Sequence, residues 1–355
     1  MIQYITTTEA FCLKFRAGVF LEANTKKRMN SQQEKLTKTI VITGASSGVG
    51  KAMAWELAQA KNRLVLAARR EEALDEVVSE CKQLGGLAIA VPTDMRSVEG
   101  IRQLAARAVE FGGAIDVWIN NAGVLAAGAL EQIPADVNED VIRTNLMGYM
   151  HSAHTVLPYF KEQGYGLLIN NISIGGWFPT PYGAAYTASK FGIRGFSESL
   201  KGELSEFPDI HICDLYPGFL DTPGMQHAAN YTGKFLKPAP PVYGPEKVAK
   251  AVVSLVECPR KRATIGAASI FLRLAYQAFP ALTRAITASV IRTYLKHAEP
   301  MPFNSGNILN PVTYGITVDG GWRTPNKFMN KKAGLIAAGI AGVMVGIFLL
   351  GKKRV

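Results

Sequence analysis

The sequence has few of the residues that build disulfide scaffolds or metal sites. Its 355 residues include four cysteines and five histidines. The cysteines (Cys12, Cys81, Cys213 and Cys258) lie far apart and form no C-x-x-C pair, and no H-E-x-x-H motif occurs. This usage is typical of a protein in a reducing compartment. We therefore expect neither structural disulfides nor a metal ion.

Acidic residues are outnumbered, with 28 Asp and Glu against 39 Lys and Arg, so that the net charge is +11. No basic stripe interleaved with aromatic residues accompanies this excess, and we expect no nucleic-acid partner. Much of the positive charge lies near the two ends of the chain, and a further cluster occupies residues 260–262. Basic residues beside apolar segments are typical of proteins that contact anionic lipids. The charge therefore predicts a membrane partner.

The first 37 residues lack the uninterrupted apolar core of a secretory signal. Charged residues (Glu9, Lys14, Arg16 and Glu22) interrupt their apolar positions. Two interpretations stay open: a weak amphipathic segment, or a true start at Met29. We assign residues 1–37 no function.

A predicted strand, a glycine-rich turn and a predicted helix follow one another from residue 38. The strand is residues 39–42, the turn carries T-G-x-x-x-G-x-G at residues 43–50, and the helix begins at Lys51. In such a turn the backbone can approach a pyrophosphate, which then lies at the helix N-terminus. The alternative is an ordinary glycine-rich turn. The dinucleotide site predicted here includes Gly44, Ser46, Ser47, Gly48, Val49 and Gly50.

The end of the second predicted strand, residues 63–68, indicates which dinucleotide is preferred. An NAD site usually has an acid there that binds the ribose 2′-hydroxyl, but this chain has Arg69 and Arg70. A guanidinium can bind a 2′-phosphate through two hydrogen bonds. The pattern favours NADP(H), with Arg69 as the phosphate ligand and Ser46 nearby. The alternative is that both arginines only begin the next helix and face water.

The alternation of predicted strands and helices then continues. Strands at residues 87–91 and 115–119 lead to Asp94 and Asn121, respectively. Such alternation predicts an α/β fold with a doubly wound parallel sheet flanked by helices. Ligands of such sheets bind at the carboxyl ends of the strands, where these residues fall.

Tyr186 and Lys190 lie one turn apart on a predicted helix and so share a face. An ammonium in that position can stabilise a phenolate and lower the tyrosine pKa from about 10. A phenol tuned in this way can exchange a proton with a carbonyl or alcohol oxygen. Alone, the pattern would also fit a core tyrosine beside a solvated lysine.

These motifs, in this order and spacing, resemble those of the short-chain dehydrogenase/reductase family over roughly residues 38–265. The resemblance implies a Rossmann-fold catalytic domain in which Asn145, Ser173, Tyr186 and Lys190 are catalytic. It implies cofactor contacts from the glycine loop, Asp94, Asn121, Tyr186, Lys190, Pro217, Gly218 and Thr222. It also implies the oligomeric states common in the family, a homodimer or a homotetramer.

The resemblance assigns each catalytic residue a role. Ser173 would hold the substrate oxygen beside Tyr186, which acts as general acid in reduction or general base in oxidation. Lys190 would lower the Tyr186 pKa and bind the nicotinamide ribose. Asn145 would hold a water that links Lys190 to solvent.

Residues near the catalytic set indicate a lipophilic substrate. Residues 175–182 contain three aromatics and two prolines, and residues 223–241 would form a lid over the substrate by the same resemblance. We expect His227 on the surface of that lid. A sterol, an isoprenoid or an acyl derivative would all fit such a lining.

The C-terminal third predicts an extension and an anchor. Residues 266–330 form a helical and loop extension: a helix pair over residues 269–298, broken at Pro280, then a loop or linker. The pair would either lie in the membrane interface or close the pocket or an oligomer interface. Residues 333–351 carry no charge and would make a helix about 28 Å long, which predicts a single transmembrane anchor. The catalytic domain would face the cytoplasm.

The combined prediction is a membrane-anchored, NADP(H)-dependent oxidoreductase that reduces a hydrophobic carbonyl to a secondary alcohol, or catalyses the reverse. One alternative is an epimerase or dehydratase on the same fold. Another is a non-catalytic membrane-bound NADP(H) sensor or scaffold, which would bind the cofactor without turnover.

Overall fold

The computed structural model describes residues 37–323, and every element below belongs to the unit that begins at Lys38. The strands are β1 (Thr39–Thr43), β2 (Arg63–Ala68), β3 (Leu87–Pro92), β4 (Val117–Asn120), β5 (Ala126–Ala127), β6 (Gly166–Asn171), β7 (Ile210–Pro217), β8 (Ala229–Asn230) and β9 (Arg262–Ile265). Seven of them form one parallel sheet in the order β3-β2-β1-β4-β6-β7-β9, and β5 pairs with β8. The predicted parallel sheet is therefore confirmed.

Helices cover both faces of this sheet. They are α1 (Gly48–Gln59), α2 (Glu71–Gln83), α3 (Val98–Gly112), α4 (Ala135–Ile142), α5 (Gly148–Gln163), α6 (Ala184–Glu203), α7 (Gly224–His227), α8 (Pro245–Glu257), α9 (Ala267–Ala278) and α10 (Pro280–His297). A π-helical turn, Arg143–Met147, joins α4 to α5.

The strand sequences are apolar at nearly every position because both sheet faces are buried. In β1, Ile40 and Ile42 pack with α1, α2 and α8 on one face. Val41 points to the other face and packs with α3, α5 and α6. The core is therefore two apolar layers, one on each side of the sheet.

The direction of strand order reverses between β1 and β4, and this reversal positions the site. From β1 the chain builds outward to β2 and β3, then returns to add β4 on the opposite side of β1. The connections that leave β1 and β4 therefore run in opposite directions, and such a reversal leaves a crevice at the carboxyl ends of these strands. Gly44 and Asn121 lie at that crevice.

The helix pair predicted near the C-terminus is present as α9 and α10, and it breaks at Pro280 as expected. Residues 298–323 then contain neither a helix nor a named strand, in agreement with the loop prediction. Within residues 37–323, no helix combines the length and apolar character that crossing a bilayer requires. The predicted anchor at residues 333–351 lies outside the described residues, as does nearly all of the extension at residues 1–37.

Candidate active site

Tyr186 and Lys190 lie one turn apart near the start of α6, and both line the main cavity. Lys190 is only 4% exposed. Its Nζ donates a hydrogen bond to the Asn171 carbonyl at 3.1 Å and lies 5.7 Å from the centre of the Tyr186 ring. The Tyr149 ring is 5.3 Å from the same nitrogen. The ammonium therefore lies close to two aromatic rings.

Burial controls the ionisation of this pair. It lowers the pKa of Lys190 to about 7, because little water solvates the ammonium. It raises the pKa of Tyr186, and a hydrogen bond with Ser173 only partly opposes this rise. The sequence predicted that Lys190 would lower the tyrosine pKa; here desolvation of the phenolate raises it, and the opposing effect comes from Ser173. Tyr186 therefore keeps its proton at neutral pH.

Ser173 follows β6 in a backbone conformation that is unusual for a residue with a side chain, with φ of 86°. Its Oγ accepts a hydrogen bond from the Gly175 N–H at 3.3 Å, and its hydroxyl contacts Tyr186. A methyl group at Gly175 would lie 3.1 Å from the Tyr186 ring. The tight turn after β6 thus presents the serine to the tyrosine.

Asn145 lies in the π-helical turn and is fully buried. Its amide nitrogen donates to the Val124 carbonyl at 2.9 Å, and its amide oxygen accepts from the Val124 N–H at 2.8 Å. The amide also donates to Ser189 Oγ at 3.1 Å. Irregular turns of this kind often occur at functional sites. Asn145 joins the loop after β4 to α6, and its predicted water-holding role stays a prediction.

Sequence reasoning missed two residues that support this set. Ser189 donates to the Tyr186 carbonyl at 2.7 Å and accepts from Asn145, so it links the two. The Asn171 carbonyl accepts from both Lys190 and Tyr149. The position of Ser189 inside the Tyr-x-x-x-Lys motif, and of Asn171 at the end of β6, were the available signals.

The glycine loop after β1 has the shape that a pyrophosphate requires. Gly44 has φ of +66°, and a methyl group there would lie 2.7 Å from the Ala122 backbone. A methyl group at Gly50 would lie 2.1 Å from the Gly44 carbonyl oxygen. The Asn121 amide donates to the carbonyls of Thr43 and Gly44 at 2.9 and 3.2 Å and fixes the loop. The first residues of α1 line the cavity, and the glycine loop fits a dinucleotide.

Arg69 and Asp94 lie at the ends of neighbouring strands, and both line the cavity. Burial lowers the pKa of Arg69, whose guanidinium donates to the Ile308 carbonyl at 3.0 Å and to the Asn307 carbonyl. Burial alone would raise the pKa of Asp94, but the hydrogen bonds and charge of Arg96 lower it. Both residues are placed as predicted, and their contacts with cofactor stay predictions.

One cavity of about 980 Å³ unites the predicted residues. All of the predicted cofactor residues line it: Gly44, Ser46, Ser47, Gly48, Val49, Gly50, Arg69, Asp94, Asn121, Tyr186, Lys190, Pro217, Gly218 and Thr222. Ser173 lines it too, whereas Asn145 lies behind the wall. The structure therefore brings together residues that are up to 178 positions apart in sequence, Gly44 to Thr222.

The cavity continues away from the glycine loop into an apolar compartment formed mainly by α9 and α10. Its lining includes Phe178, Leu272, Ile286, Val290 and Ile291. Both helices thus close the pocket, which was one of the two interpretations of this pair.

Two expectations about the substrate side are wrong. Trp177 is not part of the lining, because its ring instead contacts the guanidinium groups of Arg194 and Arg273, whose Cζ atoms lie 3.8 and 4.2 Å from the ring centre. His227 is only 9% exposed, and its Nε2 lies 3.1 Å from the Tyr314 carbonyl oxygen. Residues 304–323, which we call the C-terminal strap, cover this histidine.

Comparisons with a family model and with known proteins agree on one family for this chain. The model of the short chain dehydrogenase family matches residues 38–232, which are 195 of the 355 residues. The uncharacterized oxidoreductase YxnA of Bacillus subtilis is 33% identical over 267 residues, 74% of each chain. The 11-beta-hydroxysteroid dehydrogenase A of Sesamum indicum is 35% identical over 188 residues, 52% of this chain and 53% of that protein.

A solved structure supports the same conclusion. A tryptophan variant of actinorhodin polyketide ketoreductase, crystallised with NADPH, superposes with a TM-score of 0.59 at 30% identity. The match covers 65% of this chain and 95% of the ketoreductase. This protein therefore belongs to the short-chain dehydrogenase family and is an NAD(P)-dependent oxidoreductase.

Proposed function

We propose that this protein is an NADP(H)-dependent oxidoreductase that reduces a hydrophobic carbonyl compound to a secondary alcohol, or oxidises that alcohol. The observation that carries the proposal is the single cavity that runs from the glycine loop, past Ser173 and Tyr186, into the apolar compartment. A cofactor and a lipophilic substrate could meet there beside the tyrosine.

Preference for NADP(H) over NAD(H) rests on the end of β2. Arg69 and Arg70 line the cavity there, and no acid stands at that position to bind a 2′-hydroxyl. The ketoreductase neighbour was crystallised with NADPH. When bound, the nicotinamide cofactor supplies or accepts the hydride.

The residues of this chain would hold and transfer the proton. Because burial raises the pKa of Tyr186, the phenol keeps the proton that a general acid must donate to a carbonyl oxygen. Ser173 would hold the same oxygen by its hydroxyl. The Lys190 ammonium would stabilise the phenolate that remains. A protonated phenol is the form that reduction of a carbonyl requires, so this state favours the reductive direction.

The apolar compartment favours a substrate with a long or bulky hydrocarbon portion. Leu, Ile, Val and Phe side chains of α9, α10 and the turn after β6 dominate its walls, and Thr283, Thr287 and Tyr294 of α10 also line it. The names of two similar proteins, a hydroxysteroid dehydrogenase and a polyketide ketoreductase, concern carbonyl chemistry on hydrophobic molecules.

We also propose that α9 and α10 contact an anionic membrane. Residues 258–298 include seven Lys and Arg but no Asp or Glu. Large apolar side chains of this pair are exposed: Ile270, Phe271, Leu274, Phe279, Val290 and Tyr294. Apolar surface surrounded by basic residues favours the head-group region of a bilayer. A single-pass anchor at residues 333–351, a cytoplasmic catalytic domain and a homodimer or homotetramer complete the proposal.

The experiment that tests the proposed function is a titration of detergent-solubilised protein with NADPH and NADH, followed by a ketone series. Cofactor fluorescence reports binding, and its loss after ketone addition reports turnover. We expect tighter binding of NADPH and a kcat/KM that rises with the hydrocarbon length of the ketone. NADPH binding without oxidation by any ketone would favour the sensor alternative, and equal affinity for NADH would contradict the cofactor preference.

A further inference from the structure

The C-terminal strap, residues 304–323, lies across the cofactor side of the cavity and contacts groups assigned to cofactor binding. The Gly48 N–H at the start of α1 donates to the Thr317 carbonyl at 2.9 Å. The Arg69 guanidinium donates to the carbonyls of Asn307 and Ile308. Within the strap, Asn307, Pro311 and Val312 line the cavity.

One end of the strap is anchored in an apolar cluster. Ile308 is fully buried and packs with Val124, Ile133 and Val137 beside α4. The Asn307 N–H donates to the His227 carbonyl at 2.9 Å. Removing Ile308 from this cluster would expose a large apolar side chain, so this end is the fixed one.

The other end is held at Asp221, which is 2% exposed and follows β7. Its carboxylate accepts the backbone N–H groups of Gly320, Trp322 and Arg323 at 3.0, 2.8 and 3.2 Å. It also accepts Arg323 Nε at 2.9 Å. The neighbouring Thr222 carbonyl accepts the Trp322 indole N–H at 2.9 Å. Two partly buried apolar contacts accompany these polar ones: Val318 packs against the core, and the Trp322 ring lies 6.2 Å from that of Phe235. Polar contacts dominate at this end, whereas Ile308 at the other end is fully buried.

We propose that the C-terminal strap is a gate on the cofactor site, hinged at Ile308 and latched at Asp221, that encloses bound NADP(H) and must unlatch for cofactor exchange. Asn307 supports this role, because its Oδ1 is buried without a hydrogen-bond partner among the described residues and lies in the cavity wall. That oxygen could accept a hydrogen bond from the adenosine part of the cofactor.

The strap also positions Arg69. Two backbone carbonyls, from Asn307 and Ile308, hold the guanidinium at the end of β2, where a 2′-phosphate would bind. Such a gate would slow cofactor release, and none of its side chains would take part in the reaction. The proposal rests on the cofactor assignment and is independent of the substrate.

The test measures NADPH dissociation from the full-length protein by stopped-flow fluorescence, with displacement by excess NADP+. Asp221→Asn removes the charge that holds four donors. Because a hydrogen bond to a charged group can contribute enough to change an equilibrium by about tenfold, we expect dissociation to accelerate about tenfold or more. Arg323→Ala, which removes one of the four donors at an exposed position, should accelerate it less. The matched control is Asp319→Asn, which removes only an exposed partner of Arg323 and should change the rate less than twofold.

Hydrogen exchange supplies a second readout that does not depend on turnover. Saturation with NADPH should slow exchange in peptides that cover residues 309–323 of the wild-type protein, because bound cofactor is enclosed. Faster exchange on NADPH binding would overturn the proposal, since the strap would then be a competitor displaced by phosphate.

Dissociation rates within twofold of wild type in both Asp221→Asn and Arg323→Ala would also overturn the gate, and the proposed function would stand. If Asp221→Asn does not fold, Arg323→Ala decides alone. If the wild-type protein binds no NADPH, the gate and the cofactor assignment fail together.

Discussion

Replacement of Arg69 separates its contacts with the strap carbonyls from its proposed contact with the cofactor 2′-phosphate. In Arg69→Ala, NADPH loses a charge-assisted contact with its 2′-phosphate, whereas NADH has no such group to lose. The substitution also removes the hydrogen bonds from the guanidinium to the Asn307 and Ile308 carbonyls, and this loss is the same for both cofactors. The affinity for NADPH should therefore fall much more than the affinity for NADH.

The size of the difference follows from the contact that is removed. Hydrogen bonds to charged groups contribute about 1.5–3 kcal/mol each, and about 1.4 kcal/mol corresponds to a tenfold change in Kd. Because Arg69 is partly engaged by backbone carbonyls, we take the lower part of that range. We expect the NADPH Kd to rise about 10- to 30-fold, and the NADH Kd to rise by about threefold or less.

The assay is a fluorescence titration of each cofactor at a fixed salt concentration, with Arg69→Lys as a second variant. Lysine keeps the charge but loses the planar fork, so its NADPH Kd should lie between those of wild type and Arg69→Ala. Arg107→Ala, an exposed position on α3, is the control for loss of a positive charge. Equal losses of NADPH and NADH affinity in Arg69→Ala would refute the 2′-phosphate assignment.

Three further predictions concern the proton, the tyrosine support and the substrate. The pKa of Lys190 is lowered to about 7, so its ammonium is present below that pH and is lost above it. The kcat/KM for ketone reduction should therefore fall as pH rises through about 7, and a flat profile would contradict this. Ser189→Ala removes the contacts with the Tyr186 carbonyl and Asn145, and should lower kcat with little change in KM and lower the free energy of unfolding by about 1–2 kcal/mol. Ser199→Ala, on the exposed side of the same helix, is its control, and equal effects would remove the positioning role. Ile286→Asp places a charge in the apolar compartment and should raise KM for long ketones more than for short ones; a uniform change would place the substrate elsewhere.

Much of the fold was predictable because it depends on local pattern. The apolar strands, the glycine turn and the spacing of Ser173, Tyr186 and Lys190 all lie within short windows of sequence. Parallel-sheet topology then brings strand ends together without further information. The break at Pro280 was equally local, since proline cannot continue a helix in that position.

What the sequence did not predict depends on contacts between distant segments. Nothing in residues 304–323 has a helical or strand period, so their packing over the glycine loop, through Thr317 and Gly48, could not be read from pattern. The burial of His227 follows from that packing. The direction of the Tyr186 pKa shift likewise depends on burial, which spacing along a helix does not specify.

We propose that Tyr186 donates the proton for carbonyl reduction by bound NADPH. The most direct test is a single-turnover experiment in which protein saturated with NADPH is mixed with the best ketone, for wild type and Tyr186→Phe. We expect an unchanged NADPH Kd and a rate of NADPH oxidation lower by at least about 100-fold in the variant, because general acid catalysis contributes about that much or more. A Tyr186→Phe protein that oxidises NADPH at a rate within a few-fold of wild type would contradict the claim.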